Sequence, residues 1–573
     1  MDYQKYDPIE NMTFHLMSQD KEKVNRRILE YSIIFLFFAL YVWNISQNYW
    51  TLPEPGDPLE YLGSLTGNGI FWPWLDRLAL AIGLNSFSLI FSDRFLAGMV
   101  YIGFINGAIM LLCLIWSYIR AGFIGSLLVG VIFNASFMTL GYATYIYPNQ
   151  TEALYSLMAF FFFFSKKSSS LKIFLSGLFT AFAVSSKITG IAVPVFLVFH
   201  LIYKKRSTRE LTNFVLGILI GTTLVWALFA AFYDIQSLIS VFKAFFTSYL
   251  DRVVGSQLST NLASFLDILL STLFLPVFIA IFICLSGYKN EETRRLYFVG
   301  CAYILVIYVI FSFTKRGHLP FPHYIYSTFI YLTLGLAVYL GQIFQSPNPS
   351  KPPLENRRGL LLTLGFGALS FVIIGARIGS LYPPALKAAR FSDIFPQADI
   401  FKPGYGNAIP LAVRLLYLLG PLIVIALLAF IEYTKSKTGI MLFILSVSLW
   451  SSAFNGGIAL KKASEDRLRA DFFFKSAPLL NEVRDRKFFV FMRSWQQNPE
   501  FERILWAYRI FFNQKYLQYN KNTSAELRAL DREIKENIRF ILDEKEIIGI
   551  GETTLLTDDL NAASKYLKAA EIM

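Results

Sequence analysis

Ile28-Leu-Glu-Tyr-Ser-Ile-Ile-Phe-Leu-Phe-Phe-Ala-Leu-Tyr-Val-Trp-Asn-Ile45, followed closely by Pro53-Glu-Pro-Gly-Asp57-Pro-Leu-Glu60-Tyr-Leu62, is the stretch from which the fold is read. Eighteen residues with a single charge, Glu30, come close to the roughly 20 apolar residues that a membrane helix needs. Lys21, Lys23, Arg26 and Arg27 stand before the run, and a Pro/Gly-rich loop carrying carboxylates follows it. Basic residues on the cytoplasmic flank fix the orientation of such a helix. The stretch therefore predicts an uncleaved signal anchor with residues 1–27 in the cytoplasm, since a long polar lead and no small-residue cleavage site argue against a secretory peptide.

The rest of the chain follows this pattern. Over 573 residues, 55% are hydrophobic, 17% aromatic and only 16% charged, against about 25% charged in soluble domains. That excludes the water-soluble enzyme classes. Apolar runs predict thirteen spans, at about 28–45, 94–117, 122–140, 151–164, 173–186, 188–203, 211–232, 262–285, 296–313, 324–343, 359–379, 411–431 and 439–455. With the N-terminus inside, the inner loops hold twenty Lys and Arg and the longer outer loops nine. This asymmetry holds only when the two short runs, 151–164 and 173–186, both cross. The net charge of +13 is then mostly the inner signature of an inserted bundle, with no nucleic-acid partner expected. The expected architecture is an all-α polytopic membrane bundle over 28–455, with a first outer loop at 46–92, and an outer domain at 456–573.

That last segment holds 38 of the 93 charges. It reads as a small extracytoplasmic α/β domain: helical spacing at 472–484, 501–519, 524–536 and 560–570, and strands at 487–493 and 538–542. It contains no phosphate loop, metal spacing or nucleophile elbow, so a lid or scaffold over the acceptor side is expected. Cys113, Cys284 and Cys301 lie in apolar runs without CxxC spacing and indicate neither a disulfide framework nor a zinc site.

The long polar connections lie outside, and so does the candidate chemistry. Asp57 and Glu60 stand one helical turn apart if Pro58 opens a helix, which suits either a catalytic pair or an N-cap arrangement with no catalytic role. Lys187 ends an apolar run, where a cation needs a partner or must snorkel. Arg252 and the Lys315-Arg316-Gly317-His318 cluster suit a phosphate or a lipid headgroup. His318 and His323, half of the four histidines, share one outer loop. Aromatic pairs such as Trp72 and Trp74 read as an interfacial belt.

Four segments in order carry a resemblance. Gly56-Asp57-x-x-x-Tyr61-Leu62 opens the first outer loop, with Asp93-Arg94 leading into the second span. Glu152 stands in Tyr147-Pro-Asn-Gln-Thr-Glu152-Ala-Leu-Tyr155, and Lys187 in Ser185-Ser-Lys187-Ile-Thr189-Gly190. Pro322-His323-Tyr324 opens the tenth span. Over residues 28–343 this order resembles the polytopic GT-C glycosyltransferases, which use polyprenyl-phosphate-linked sugars and include protein mannosyltransferases and the aminoarabinose transferases of lipid A. Many relatives have Asp-Glu at the first acidic position, where this chain has Asp57-Pro58 with Glu60 displaced.

The resemblance implies transfer of a sugar, with inversion, from a polyprenyl-phosphate donor to an extracytoplasmic lipid, glycan or protein. It implies Asp57 as general base and Glu60 and Glu152 as a second acidic site facing the acceptor or a divalent cation. Lys187, Arg252, Lys315, Arg316, His318, His323 and Tyr324 would receive the donor phosphate. A bacterial inner membrane, with the C-terminal domain in the periplasm, is the expected location. The alternative is a transporter or flippase of lipid-linked sugars, but no internal repeat and few mid-span charges are seen.

Overall fold

The computed structural model describes residues 8–46, 77–91, 94–140, 142–143, 146–165, 169–205, 207–244, 291–312 and 322–345, and five short strands between 488 and 557. Side chains are described between residues 24 and 342, apart from residues 94–95, 135, 137, 244, 311–312 and 322–323. In chain order the main helices are α1 (Pro8–Ser46), α2 (Leu78–Ser88), α3 (Arg94–Ala135), α4 (Phe137–Leu140), α5 (Pro148–Phe163), α6 (Ser170–Ser186), α7 (Ala192–Tyr203), α8 (Thr208–Tyr233), α9 (Ile235–Ala244), α10 (Glu291–Ser312) and α11 (Tyr326–Gln345). Short 3-10 turns, Ile188–Ile191 and Pro322–Ile325, precede α7 and α11.

Four stretches among the described residues are long and apolar enough to cross a membrane: Val24–Ser46, Leu96–Asn134, Thr208–Tyr233 and Glu291–Ile310. The second has 39 residues, about twice one crossing, and it is folded in two. Gly122 has φ 62° and ψ −164°, a conformation that side chains disfavour. Ser126 Oγ then donates to the Leu114 carbonyl at 3.0 Å. Twelve residues along a straight helix would be about 18 Å apart, so the chain reverses at Gly122. The expected spans 94–117 and 122–140 are these two arms.

α1 lies along the second arm. Asn134 Nδ2 donates to the Phe37 carbonyl at 3.0 Å, Asn44 Nδ2 donates to Asn134 Oδ1 at 3.2 Å, and Tyr41 O–H donates to the Thr139 carbonyl at 3.2 Å. Such bonds join helices where apolar packing alone has no solvent-driven preference. The two short runs are both helical, as α5 and α6. α6 meets α8 at a close crossing: a Cβ on Gly177 would stand 2.1 Å from the Phe214 carbonyl oxygen, and one on Gly217 2.1 Å from that of Phe174. Gly217 and Gly221 form a GxxxG face of the kind that lets membrane helices approach closely.

Polar side chains gather at two levels of this bundle. At one end Tyr118 O–H donates to Glu30, Arg120 donates to the Phe164 carbonyl, and Gln342 Nε2 donates to the Arg120 carbonyl. Glu292 faces Arg120 at 3.6 Å and Arg295 at 3.7 Å, and Glu291 pairs with Lys204 at 2.7 Å. All of these stand at the span ends assigned to the inner face. The other polar level holds the candidate site.

The strands β1 (Phe488–Phe491), β2 (Tyr516–Gln518), β3 (Ile538–Leu542), β4 (Glu546–Gly549) and β5 (Thr553–Thr557) form one sheet in the order β2-β1-β5-β3-β4. Only β3 and β4 pair antiparallel. β1 and β3 fall on the two expected strands. The helix expected over 501–519 is corrected at its end, because Tyr516 pairs in parallel with Phe488, and that long-range pairing overrides the local helical spacing. The other helices expected in this segment, and the spans at 262–285 and 359–455, lie outside the described residues.

Candidate active site

α5 begins where the chain leaves an extended Tyr147 and enters the helix at Pro148, a residue favoured at a first helical position because its missing N–H and fixed φ cost nothing there. That start sends Asn149, Gln150, Thr151 and Glu152 into the interior, where all four are buried. Gln150 Nε2 donates to the Tyr142 carbonyl at 2.8 Å, and Thr151 shares a hydrogen bond with Tyr101 at 3.1 Å. Glu152, 1% exposed, accepts on Oε2 from Thr189 Oγ1 at 2.9 Å.

Thr189 reaches Glu152 because α6 stops at Ser186 and Lys187 turns extended, with φ −163° and ψ 142°. The 3-10 turn that follows is closed by the Gly190 amide donating to the Lys187 carbonyl at 2.9 Å. Lys187, 2% exposed, lies with Nζ 3.8 Å from the centre of the Tyr324 ring, and Glu152 is its charge partner. A buried ammonium is tolerable only with such compensation, and an aromatic face adds about 2 kcal/mol when water is excluded. Tyr324 is held in the turn that opens α11, and His323 belongs to the same turn by its backbone. Arg77, where the chain enters α2, and Tyr303 of α10 also act electrostatically on Glu152.

The structure thus brings together Glu152, Lys187 and Tyr324 from three of the four sequence segments. Asp57, Glu60, Arg252, Lys315, Arg316 and His318 lie outside the described residues. The residues flanking the first outer loop are described: α1 ends at Ser46, a few residues beyond the Tyr41 bond to Thr139, and the chain resumes at Arg77, whose charge acts on Glu152. Thr189, Tyr303, Tyr101 and Arg77 were not singled out by sequence. Thr189 stands inside the quoted lysine segment, and Arg77 is one of the few outer cations. The tyrosines gave no signal among 31 in an aromatic-rich chain.

Among the described residues no three His, Cys, Asp or Glu side chains gather as a metal site would require. Glu152 with one Thr hydroxyl and an ammonium opposite does not by itself fit a divalent cation, which takes six or more oxygens. The arrangement is a buried carboxylate held by a threonine hydroxyl, with a buried ammonium on an aromatic face acting on it electrostatically.

Fold and site define an integral membrane protein, a helical bundle with a buried ionic cluster at one of its polar levels. No family model matches the sequence, and no curated protein matches it. Among solved structures the chain is similar to ArnT from Cupriavidus metallidurans bound to undecaprenyl phosphate, at 13% identity and a TM-score of 0.47, over 88% of this chain and 87% of that one. It is also similar to ArnT from the same organism in the apo state, at 12% identity and a TM-score of 0.47, over 90% of this chain and 92% of that one.

Proposed function

We propose that the protein transfers a sugar from a polyprenyl-phosphate donor to an extracytoplasmic lipid, glycan or protein. In this reading the acceptor O–H or N–H attacks the anomeric carbon from the face opposite the phosphate. The bond from that carbon to the phosphate oxygen breaks, the electron pair leaves with the polyprenyl phosphate, and the acceptor proton passes to Asp57. The anomeric configuration inverts.

The observation that carries the reading is the meeting of Glu152, Lys187 and Tyr324 in one buried cluster. They come from segments far apart in sequence. A lysine fixed beforehand opposes the charge that develops on the leaving phosphate, and fixed charge is most effective where water is excluded. Arg252, Lys315, Arg316, His318 and His323 supply further contacts to the donor phosphate, while Glu152 and Glu60 face the acceptor. The protein sits in a bacterial inner membrane with its N-terminus cytoplasmic. Residues 456–573 lie in the periplasm as a scaffold on the acceptor side.

The test uses purified protein, a panel of polyprenyl-phosphate sugars and envelope acceptors. Asp57→Asn is expected to reduce transfer by roughly 10²–10⁴-fold, the usual contribution of a general base, at unchanged expression. Undiminished turnover would overturn the assignment.

A further inference from the structure

Threonine and serine side chains within helices commonly return their hydroxyl proton to a carbonyl one turn back, and several in this bundle do so. Thr180 donates to the Ser176 carbonyl at 2.8 Å, Ser186 to that of Phe182 at 2.8 Å and Thr223 to that of Leu219 at 3.0 Å. Thr189 departs from that habit. From the 3-10 turn before α7 its Oγ1 donates at 2.9 Å to Glu152 Oε2, 37 residues earlier in the chain, and both residues are buried.

The turn does not depend on this bond for its shape. The Lys187 amide donates to the Ala183 carbonyl at 3.2 Å, and the Gly190 amide donates to the Lys187 carbonyl at 2.9 Å. Gly190 also lies so close to the end of α6 that a Cβ on it would stand 2.6 Å from the Ala183 carbonyl oxygen. Backbone bonds and close packing thus set the path that carries Lys187, and the Thr189 hydroxyl is left to act on the carboxylate.

The last torsion of a glutamate side chain has only broad preferences, so burial alone does not choose which carboxylate oxygen points where. The Thr189 bond makes that choice by engaging Oε2. Among the described residues Glu152 Oε1 has no hydrogen-bond partner, and leaving a buried acceptor without one costs free energy. A carboxylate with one oxygen tied and the other open is suited to accept an O–H or N–H from a ligand at the open oxygen.

We propose that Thr189 is a positioning residue: by holding Oε2 it presents Oε1 of Glu152 to an O–H or N–H of the acceptor. The inference rests on the reading of Glu152 as the carboxylate that faces the acceptor in the transferase site. It predicts a loss at the acceptor that leaves donor binding intact, although Thr189 stands two residues from Lys187.

The experiment takes the purified full chain with a polyprenyl-phosphate sugar and an envelope acceptor that the wild type turns over, and compares Thr189→Val, Thr189→Ser and Glu152→Gln. Valine keeps the branched shape and loses the hydroxyl, whereas serine keeps the hydroxyl. Thr189→Val is expected to lower kcat/KM for the acceptor roughly 10–100-fold, the scale on which misplacement of a reacting group acts, with the donor KM within about twofold. Thr189→Ser is expected to recover most of that loss. Unchanged acceptor kinetics in Thr189→Val, or an equal loss in Thr189→Ser, would overturn the proposal. So would a loss carried by the donor KM, because the hydroxyl would then be holding the Lys187 turn. If Thr189→Val does not fold, Thr189→Ala takes its place with the same outcomes. Wild-type turnover by Glu152→Gln would remove the underlying reading of the site as well. Slow Glu152→Gln with fast Thr189→Val removes only the role of Thr189.

Discussion

Lys187 stands in a place that is 2% exposed, and Glu152 acts on it electrostatically. Removing one member of a buried pair leaves the other uncompensated, commonly at a cost of about 3–5 kcal/mol, whereas removing both is often close to neutral. Lys187→Met is therefore expected to lower the thermal unfolding midpoint in detergent more than the Lys187→Met/Glu152→Gln double variant does. Equal or additive losses would mean that the two side chains are not coupled. Asp234, at the junction of α8 and α9, offers a pH test. Its Oδ1 accepts from the Ser237 amide at 2.6 Å, and that bond holds its carboxyl below the ordinary Asp range. A depressed folded-state value contributes stability above the unfolded pKa, about 4, and that contribution is lost as pH falls through the folded value. Hydrogen exchange at the Ser237 amide should accelerate in that acid window, and Asp234→Ala should exchange at the fast rate already at neutral pH. Sequence marked Lys187, Glu152 and Tyr324 because each interrupts or borders an apolar run in a recognisable order. It did not mark Thr189, whose hydroxyl becomes distinctive only when the turn before α7 brings it to Glu152 on α5.

Helices of this bundle meet through small residues and a few interhelical hydrogen bonds. At the α6–α8 crossing the Cβ of any larger residue at Gly217 would collide with the Phe174 carbonyl. Gly217→Val is expected to destabilise by about 3 kcal/mol, the upper part of the usual overpacking range, read as a lowered unfolding midpoint. An unchanged midpoint would show that the helices part freely. Gly122→Ala forces a side chain into the reversal between the arms of α3, with an expected cost of about 1–3 kcal/mol. The reversal itself was legible in sequence, since Arg120 stands between two apolar runs each close to one crossing. The GxxxG face at 217–221 was equally present but carried no weight, because small residues in an apolar run acquire meaning only from the helix they meet. The strand Tyr516–Gln518 was hidden for the opposite reason: its pairing partner, β1, lies 25 residues or more earlier in the chain, and local spacing there favours a helix.

At the scale of the molecule, the described polar contacts fall into two groups. Arg120, Glu292, Arg295, Glu291 and Lys204 tie the reversal of α3 to the ends of α5, α7 and α10 at one of them; Glu152, Lys187 and Tyr324 stand at the other. In the orientation we propose from the charge count, the first lies on the cytoplasmic side. A single cysteine introduced at Lys205 in an otherwise Cys-free chain should react with an impermeant maleimide only after the cytoplasmic face is opened, and reaction in intact cells would reverse the proposed orientation. The measurement that bears most directly on the central claim uses proteoliposomes carrying a radiolabelled polyprenyl-phosphate sugar, with acceptor supplied on the outer-loop side. Sugar appearing on the acceptor together with free polyprenyl phosphate, and absent with Asp57→Asn, is the predicted result. Labelled donor crossing the bilayer with its sugar still attached, and no transfer by the wild type, would contradict the account and leave a transporter in its place.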